Sequence, residues 1–192
     1  MMTTEEHKAR TARSYKLLLI FAMISMTMMF AGLTSALVVS KSRPDWLTNF
    51  QLPSSFTYSL FTILLCSVTF HLAKRAIKKD DRKRTTTFLL TTLLLGLTFV
   101  FFQLQGFSQL FESHLYPVGG SGSITISFLY VLVYLHLAHL SGGVISLLII
   151  IYNHFKQKYN ASQFLGIELG AMYWHFLDFL WVYLFLFLYF FK

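Results

Sequence analysis

Charge is scarce in this 192-residue chain: Asp, Glu, Lys and Arg make up 12% of it, about half of the roughly 25% usual in soluble domains. Cysteine is nearly absent. Cys66 stands alone inside an apolar run, which excludes an intrachain disulfide and any Cys-based zinc or iron–sulfur centre. Apolar residues reach 55%, more than a soluble fold of this length can hide beneath a polar surface. An ordinary soluble enzyme and a disordered tail are both excluded. The net charge of +8 would suggest nucleic acid in a soluble domain. In a chain this apolar it marks loops that face anionic lipid, and no nucleic-acid partner is expected.

What the sequence has instead is long apolar runs. A helix needs about 20 apolar residues to cross the hydrocarbon layer. Five stretches meet that length: Leu17–Ser40, Phe56–Ile77, Thr86–Phe107, Ile124–Tyr152 and Gly166–Phe191. The runs are continuous rather than alternating, so they predict an all-α membrane protein, a five-helix transmembrane bundle, and not a barrel. The first run is too long for the core of a cleavable signal and reads as a retained span. Prolines 44 and 53 break the chain between the first two spans, Lys78 to Arg84 forms a charged hairpin, and Pro117 to Ser123 reads as flexible. No repeat or separate extramembrane domain is visible, so residues 1–192 read as one membrane domain.

Lys and Arg are unevenly placed. Thirteen of the 16 lie in the N-terminal segment, in Lys74 to Arg84, and at Lys156 and Lys158; Lys41, Arg43 and Lys192 lie on the other side. The positive-inside rule puts the N-terminus in the cytoplasm and the C-terminus outside. Asn160-Ala-Ser162 is then cytoplasmic and no glycosylation acceptor. Gly166 with Gly170, and Gly32 with Ala36, have the spacing that lets helix backbones approach closely. Trp46 and the aromatic tail from Trp181 to Phe191 fit an interfacial belt on the outer side. Met23, Met26, Met28 and Met29 cover several faces of one helix and read as packing rather than metal ligands.

Ionisable residues inside a span must find partners. His136 and His139 fall on one face of the fourth run. On the fifth, at 100° per residue, His175 lies about 20° and Asp178 about 80° from Glu168. The simplest packing turns these two faces together, with His71 on the second helix joining them or reaching the interface. Three readings stay open at this point. The set is a polar clamp between helices four and five, or a proton or ion path, or a metal or haem site, a haem being held by His136 or His139 facing His175.

The segment Glu168-Leu-Gly-Ala-Met-Tyr-Trp-His-Phe-Leu-Asp-Phe-Leu-Trp181 resembles the last helix of subunit III of haem-copper terminal oxidases, Trp174 and Trp181 included. Ser67-Val-Thr-Phe-His-Leu-Ala73, Gly96-Leu-Thr-Phe with Gln103, His136-Leu-Ala-His139 with Gly142 or Gly143, and Met28-Met-Phe-Ala-Gly32 resemble further segments of that family, in order. The five spans are similar to its short bacterial form. Two departures stand out: Met26 and Gly106 occupy positions where the family carries glutamates, so no role of those carboxylates transfers.

The resemblance implies a non-catalytic core subunit of an aerobic respiratory oxidase, multi-pass in the bacterial inner membrane and without an active site of its own. Cytochrome c oxidase is favoured over quinol oxidase. The haems and copper would belong to subunits I and II, with no cofactor here except bound phospholipid. Subunit I would be the main contact, with subunit II, small subunits, lipids and a respiratory supercomplex beyond. The chain would stabilise subunit I and support oxygen access and proton uptake, with His71, His136, His139, Glu168, His175 and Asp178 as a buried polar network. A small haem-binding membrane anchor or cytochrome, or a subunit of a related nitric oxide reductase complex, is the alternative.

Overall fold

A computed structural model describes residues 4–47, 51–117 and 123–191. Its described residues form five long helices and no strand: α1 (Thr4–Val39), α2 (Ser54–Lys78), α3 (Arg82–Glu112), α4 (Ile124–Phe155) and α5 (Leu165–Phe190). A single 3₁₀ turn at Ser40–Ser42 follows α1. All five helices are long and apolar enough to cross a membrane. Each carries one of the apolar runs, and α1 and α3 extend furthest beyond theirs into polar sequence. Backbone donors and acceptors satisfied within a helix impose no cost in lipid, whatever the side chains do.

The turn between α2 and α3 is only three residues long. Asp80 takes a left-handed φ of 57°. That lets the Asp81 N–H reach the Ala76 carbonyl at 3.1 Å and the Asp80 N–H reach Ile77 at 3.0 Å, a Schellman ending that satisfies the last carbonyls of α2. The Asp81 carboxylate then accepts from the Arg84 N–H at 3.1 Å and caps α3. The charged hairpin read from the sequence is therefore a tight, capped reversal.

Beyond it, α2 and α3 lie against each other along their length. On α2 the residues Ser55, Ser59, Thr62, Cys66, Thr69, Ala73 and Ala76 step alternately by four and three. The buried Thr85, Leu89, Thr92, Gly96, Phe99, Gln103 and Gly106 of α3 step the same way. This is the heptad spacing of an antiparallel coiled-coil seam, mostly of small and weakly polar side chains as membranes favour, with Leu89 and Phe99 the large exceptions. Three contacts fix its register. Gln103 donates to the Ser59 hydroxyl at 3.0 Å, the Cys66 thiol donates to the Thr92 carbonyl at 3.3 Å, and the Thr69 and Thr92 hydroxyls pair at 2.9 Å.

Helix α5 is the most buried element and α1 the least. Trp174 of α5 lies with its ring 3.1 Å from where a Cβ on Gly96 would stand, and against Gly143 of α4 and Phe70 of α2. Gly170 admits the Ile150 side chain of α4, whereas Gly166 faces the Tyr159 ring of the preceding loop, so only Gly170 serves helix packing. Around Gly32 there is open space instead, so this glycine packs against nothing among the described residues. The belt expectation also needs correction. Trp181 is 1% exposed, its ring edge-on to Phe56 and Phe99, because it lies two turns from Trp174 on the same inward face. Trp46 does sit at a helix end, edge-on to Phe191 after the last turn of α5 at 6.0 Å. Most of the stretch from Pro117 to Ser123 lies outside the described residues.

Candidate functional site

The polar residues of the spans separate into three places rather than gathering in one. Glu168, one turn into α5, meets Lys16 of α1 at 2.8 Å and Lys74 of α2 at 4.0 Å. No histidine takes part. The side chain is 25% exposed, and this ion triad ties three helices together at the end of the bundle where α5 begins. Lys16 closes the basic N-terminal segment just where the apolar run begins. That placement was the available signal for this partner.

His175 and Asp178 form the second place. The Ser67 hydroxyl and His175 Nδ1 are 2.7 Å apart, and Asp178 Oδ2 is 3.9 Å from the same nitrogen. Asp178 is 3% exposed, and its oxygens have no hydrogen-bond partner among the described residues. His71 joins from α2, its ring centroid 6.2 Å from that of His175. The three α5 residues thus share an arc, as their spacing requires, but it faces α2 and α1. The expected α4 face is corrected for a steric reason: Gly170 and Trp174 already fill the α4 side of α5, against Ile150 and Gly143.

His136 is the third place. Fully buried, it lies tilted against Trp181 at 5.1 Å and meets Phe99 edge-on at 5.9 Å. Neither ring nitrogen has a hydrogen-bond partner among the described residues. His139 does not join it. Its Nδ1 lies 2.6 Å from the Leu135 carbonyl of its own helix, and its ring rests against Phe30 of α1. The haem reading needed His136 or His139 to face His175. Neither does, and no group of three His, Cys, Asp or Glu side chains that could hold a metal occurs among the described residues.

Several ties were not foreseen. Thr86 of α3 pairs with His154 Nε2 of α4 at 2.9 Å, and Tyr173 of α5 donates to the His139 carbonyl at 2.9 Å. The Thr34 and Tyr183 hydroxyls join α1 to α5 at 2.9 Å. Arg82 donates to the Tyr159 carbonyl at 3.2 Å and joins the start of α3 to the loop before α5. Burial pushes the Tyr159 phenol up from its ordinary range. At the opposite end of the bundle Ser123 donates to the Asp45 carbonyl at 2.8 Å. The Arg43 guanidinium, 3.0 Å away, holds the Asp45 carboxyl below the usual carboxylate range.

Against this geometry, comparison with known sequences is decisive. The sequence pattern of the family described as cytochrome c oxidase subunit III matches residues 2–192. The chain belongs to the cytochrome c oxidase subunit III family. A relative from Thermostichus vulcanus named cytochrome c oxidase subunit 3 is 30% identical over 176 residues, covering 90% of this chain and 84% of its own. A probable quinol oxidase subunit 3 from Staphylococcus aureus strain USA300 is 34% identical over 139 residues, 71% of this chain and 66% of its own. Membership of the subunit III family identifies the chain as a multi-pass membrane component of the haem-copper oxidases, a subunit made to associate with others. The five-helix architecture agrees with it.

Proposed function

We propose that this chain is the non-catalytic subunit III of an aerobic respiratory haem-copper oxidase in a bacterial cytoplasmic membrane. Its N-terminus faces the cytoplasm and its C-terminus the outside. The observation that carries the reading is the family match across residues 2–192. The disposition of the polar residues supports it. Glu168, His154 and Ser67 bind helix to helix, and His136 is enclosed by aromatic rings, so these side chains stiffen a scaffold.

In this role the chain holds subunit I in shape, keeps phospholipid along its open apolar faces, and supports oxygen access and sustained proton uptake by its partner. Haems and copper belong to subunits I and II. The electron donor is set by subunit II, where copper ligands mark cytochrome c and their absence marks quinol.

Affinity purification from the native membrane through a tag on this chain tests the proposal. Haem-copper oxidase spectra and oxygen consumption should co-purify with it. Deleting the chain should leave an oxidase that assembles poorly or loses activity during turnover. A Soret band from the isolated chain would refute the reading in favour of a small cytochrome, and a haem-free eluate without oxidase subunits would refute it outright.

A further inference from the structure

One surface of the bundle is out of keeping with lipid. Between α2 and α5 runs a furrow of about 540 Å³ lined by Ser67, Val68, His71, Leu72, Arg75 and His175. His71 is exposed there and makes no hydrogen bond to the described residues, while His175 keeps 34% of its side chain accessible. Ser67 occupies Nδ1 of His175, which leaves Nε2 for a further partner. The character of the furrow is basic. Arg75 stands at its inner end, and Lys74 close by is shared with Glu168. Asp178 lies beneath the floor, turned to the interior.

Depth narrows the choice of occupant. At 1.5 Å per residue, His71 stands roughly 7 Å and His175 roughly 4 Å from the middle of its helix, and Arg75 about 13 Å. The hydrocarbon layer extends about 15 Å to either side of its mid-plane, with phosphates beyond. A lipid headgroup can reach Arg75 but not the two imidazoles. An acceptor at their depth has to arrive on another transmembrane helix, and exposed imidazoles facing hydrocarbon alone would be costly.

We propose that the α2–α5 furrow is the docking surface for a transmembrane helix of a partner subunit, which presents an acidic side chain to His71 and His175. Val68 and Leu72 supply the apolar walls on which that helix rests, and Arg75 meets its inner end. The inference builds on the oxidase-subunit reading and adds the contact face and the chemistry of the partner to it.

Site-specific photo-cross-linking in the intact complex tests it. A benzophenone amino acid is placed at Leu72 on the furrow and, as a control, at Ile145 on the exposed face of α4. The Leu72 probe should capture a transmembrane peptide of a co-purified oxidase subunit, and that peptide should contain Asp or Glu. The Ile145 probe should capture lipid. In parallel, His71→Leu should reduce retention of this chain on the complex by about tenfold in a detergent wash, the equivalent of one lost charge-assisted hydrogen bond. His71→Gln, still a donor, should retain most of it. Lipid-only adducts from Leu72, or protein adducts from Ile145 alone, would overturn the docking surface and leave the oxidase reading intact. A chain that does not co-purify with an oxidase at all would overturn both.

Discussion

His136 and Glu168 are both ionisable, but the first has no hydrogen-bond partner among the described residues and the second has two cations. Their substitutions should therefore move stability in opposite directions. Replacing an unpartnered buried polar group by an apolar one of similar size removes a desolvation cost without breaking a bond. We expect His136→Leu to leave the thermal midpoint of the purified protein unchanged or to raise it, read by scanning fluorimetry in detergent. A clear fall would contradict an unpartnered imidazole at this site. Glu168→Gln removes the charge that Lys16 and Lys74 share. At a part-exposed helix end that contact is worth about 1 kcal/mol, and the loss should appear as faster limited proteolysis near the start of α1. Sequence spacing placed Glu168, His175 and Asp178 on one arc of α5, because a helix fixes angles. It did not indicate which neighbour that arc meets, because the neighbour is set by where Gly170 and Gly143 allow close approach.

At the scale of the elements, glycine separates packed from unpacked helix faces. A Cβ on Gly106 would stand 2.7 Å from the Phe56 ring, whereas one on Gly32 would meet nothing within 4 Å. Gly106→Ala should cost about 1–3 kcal/mol by overpacking. Gly32→Ala should be neutral or mildly stabilising, since alanine is the better helix former. Equal midpoints for the two variants in the same melt would contradict the packing of α2 on α3. The five helices were legible because apolar length is a strong and local signal. The α2–α3 seam was not, although its heptads stand in plain sequence. Serine, threonine, alanine and glycine at interface positions look like background in a chain read for apolar runs. Trp181 was misread for the opposite reason: tryptophan near a helix end suggests the interface, and only its register with Trp174 turns it inward.

For the molecule as a whole, the end that carries the basic clusters is defined by contacts as well as by charge. Lys16–Glu168–Lys74 and Arg82–Tyr159 join α1, α2, α3, α5 and the loop before α5 at one end. At the other end the Leu47 N–H donates to Thr125 at 3.2 Å, and Lys41 sits 5.0 Å over the Phe191 ring. Every basic cluster counted from the sequence falls at the first end. Alkaline phosphatase fused after Phe191 should accordingly be active in cells, and the same reporter fused within Lys156 to Asn160 should be inactive. The reverse pattern would invert the orientation. Helix α1 touches the rest of the chain through Lys16, Phe30 and Thr34.

The seam between α2 and α3 also bears on how the chain enters the membrane. The two arms are joined by three residues, and seven Lys and Arg lie within Lys74 to Arg84 at the join, so the turn itself is not carried across. Neither arm is well served by waiting in lipid alone, because Ser59, Thr62, Thr92 and Gln103 would face hydrocarbon until the partner arrived. Such a hairpin is best inserted as a pair, its polar seam closed before release from the insertion machinery. A ribosome stalled after α2 should therefore leave that helix accessible to water, and one stalled after α3 should not.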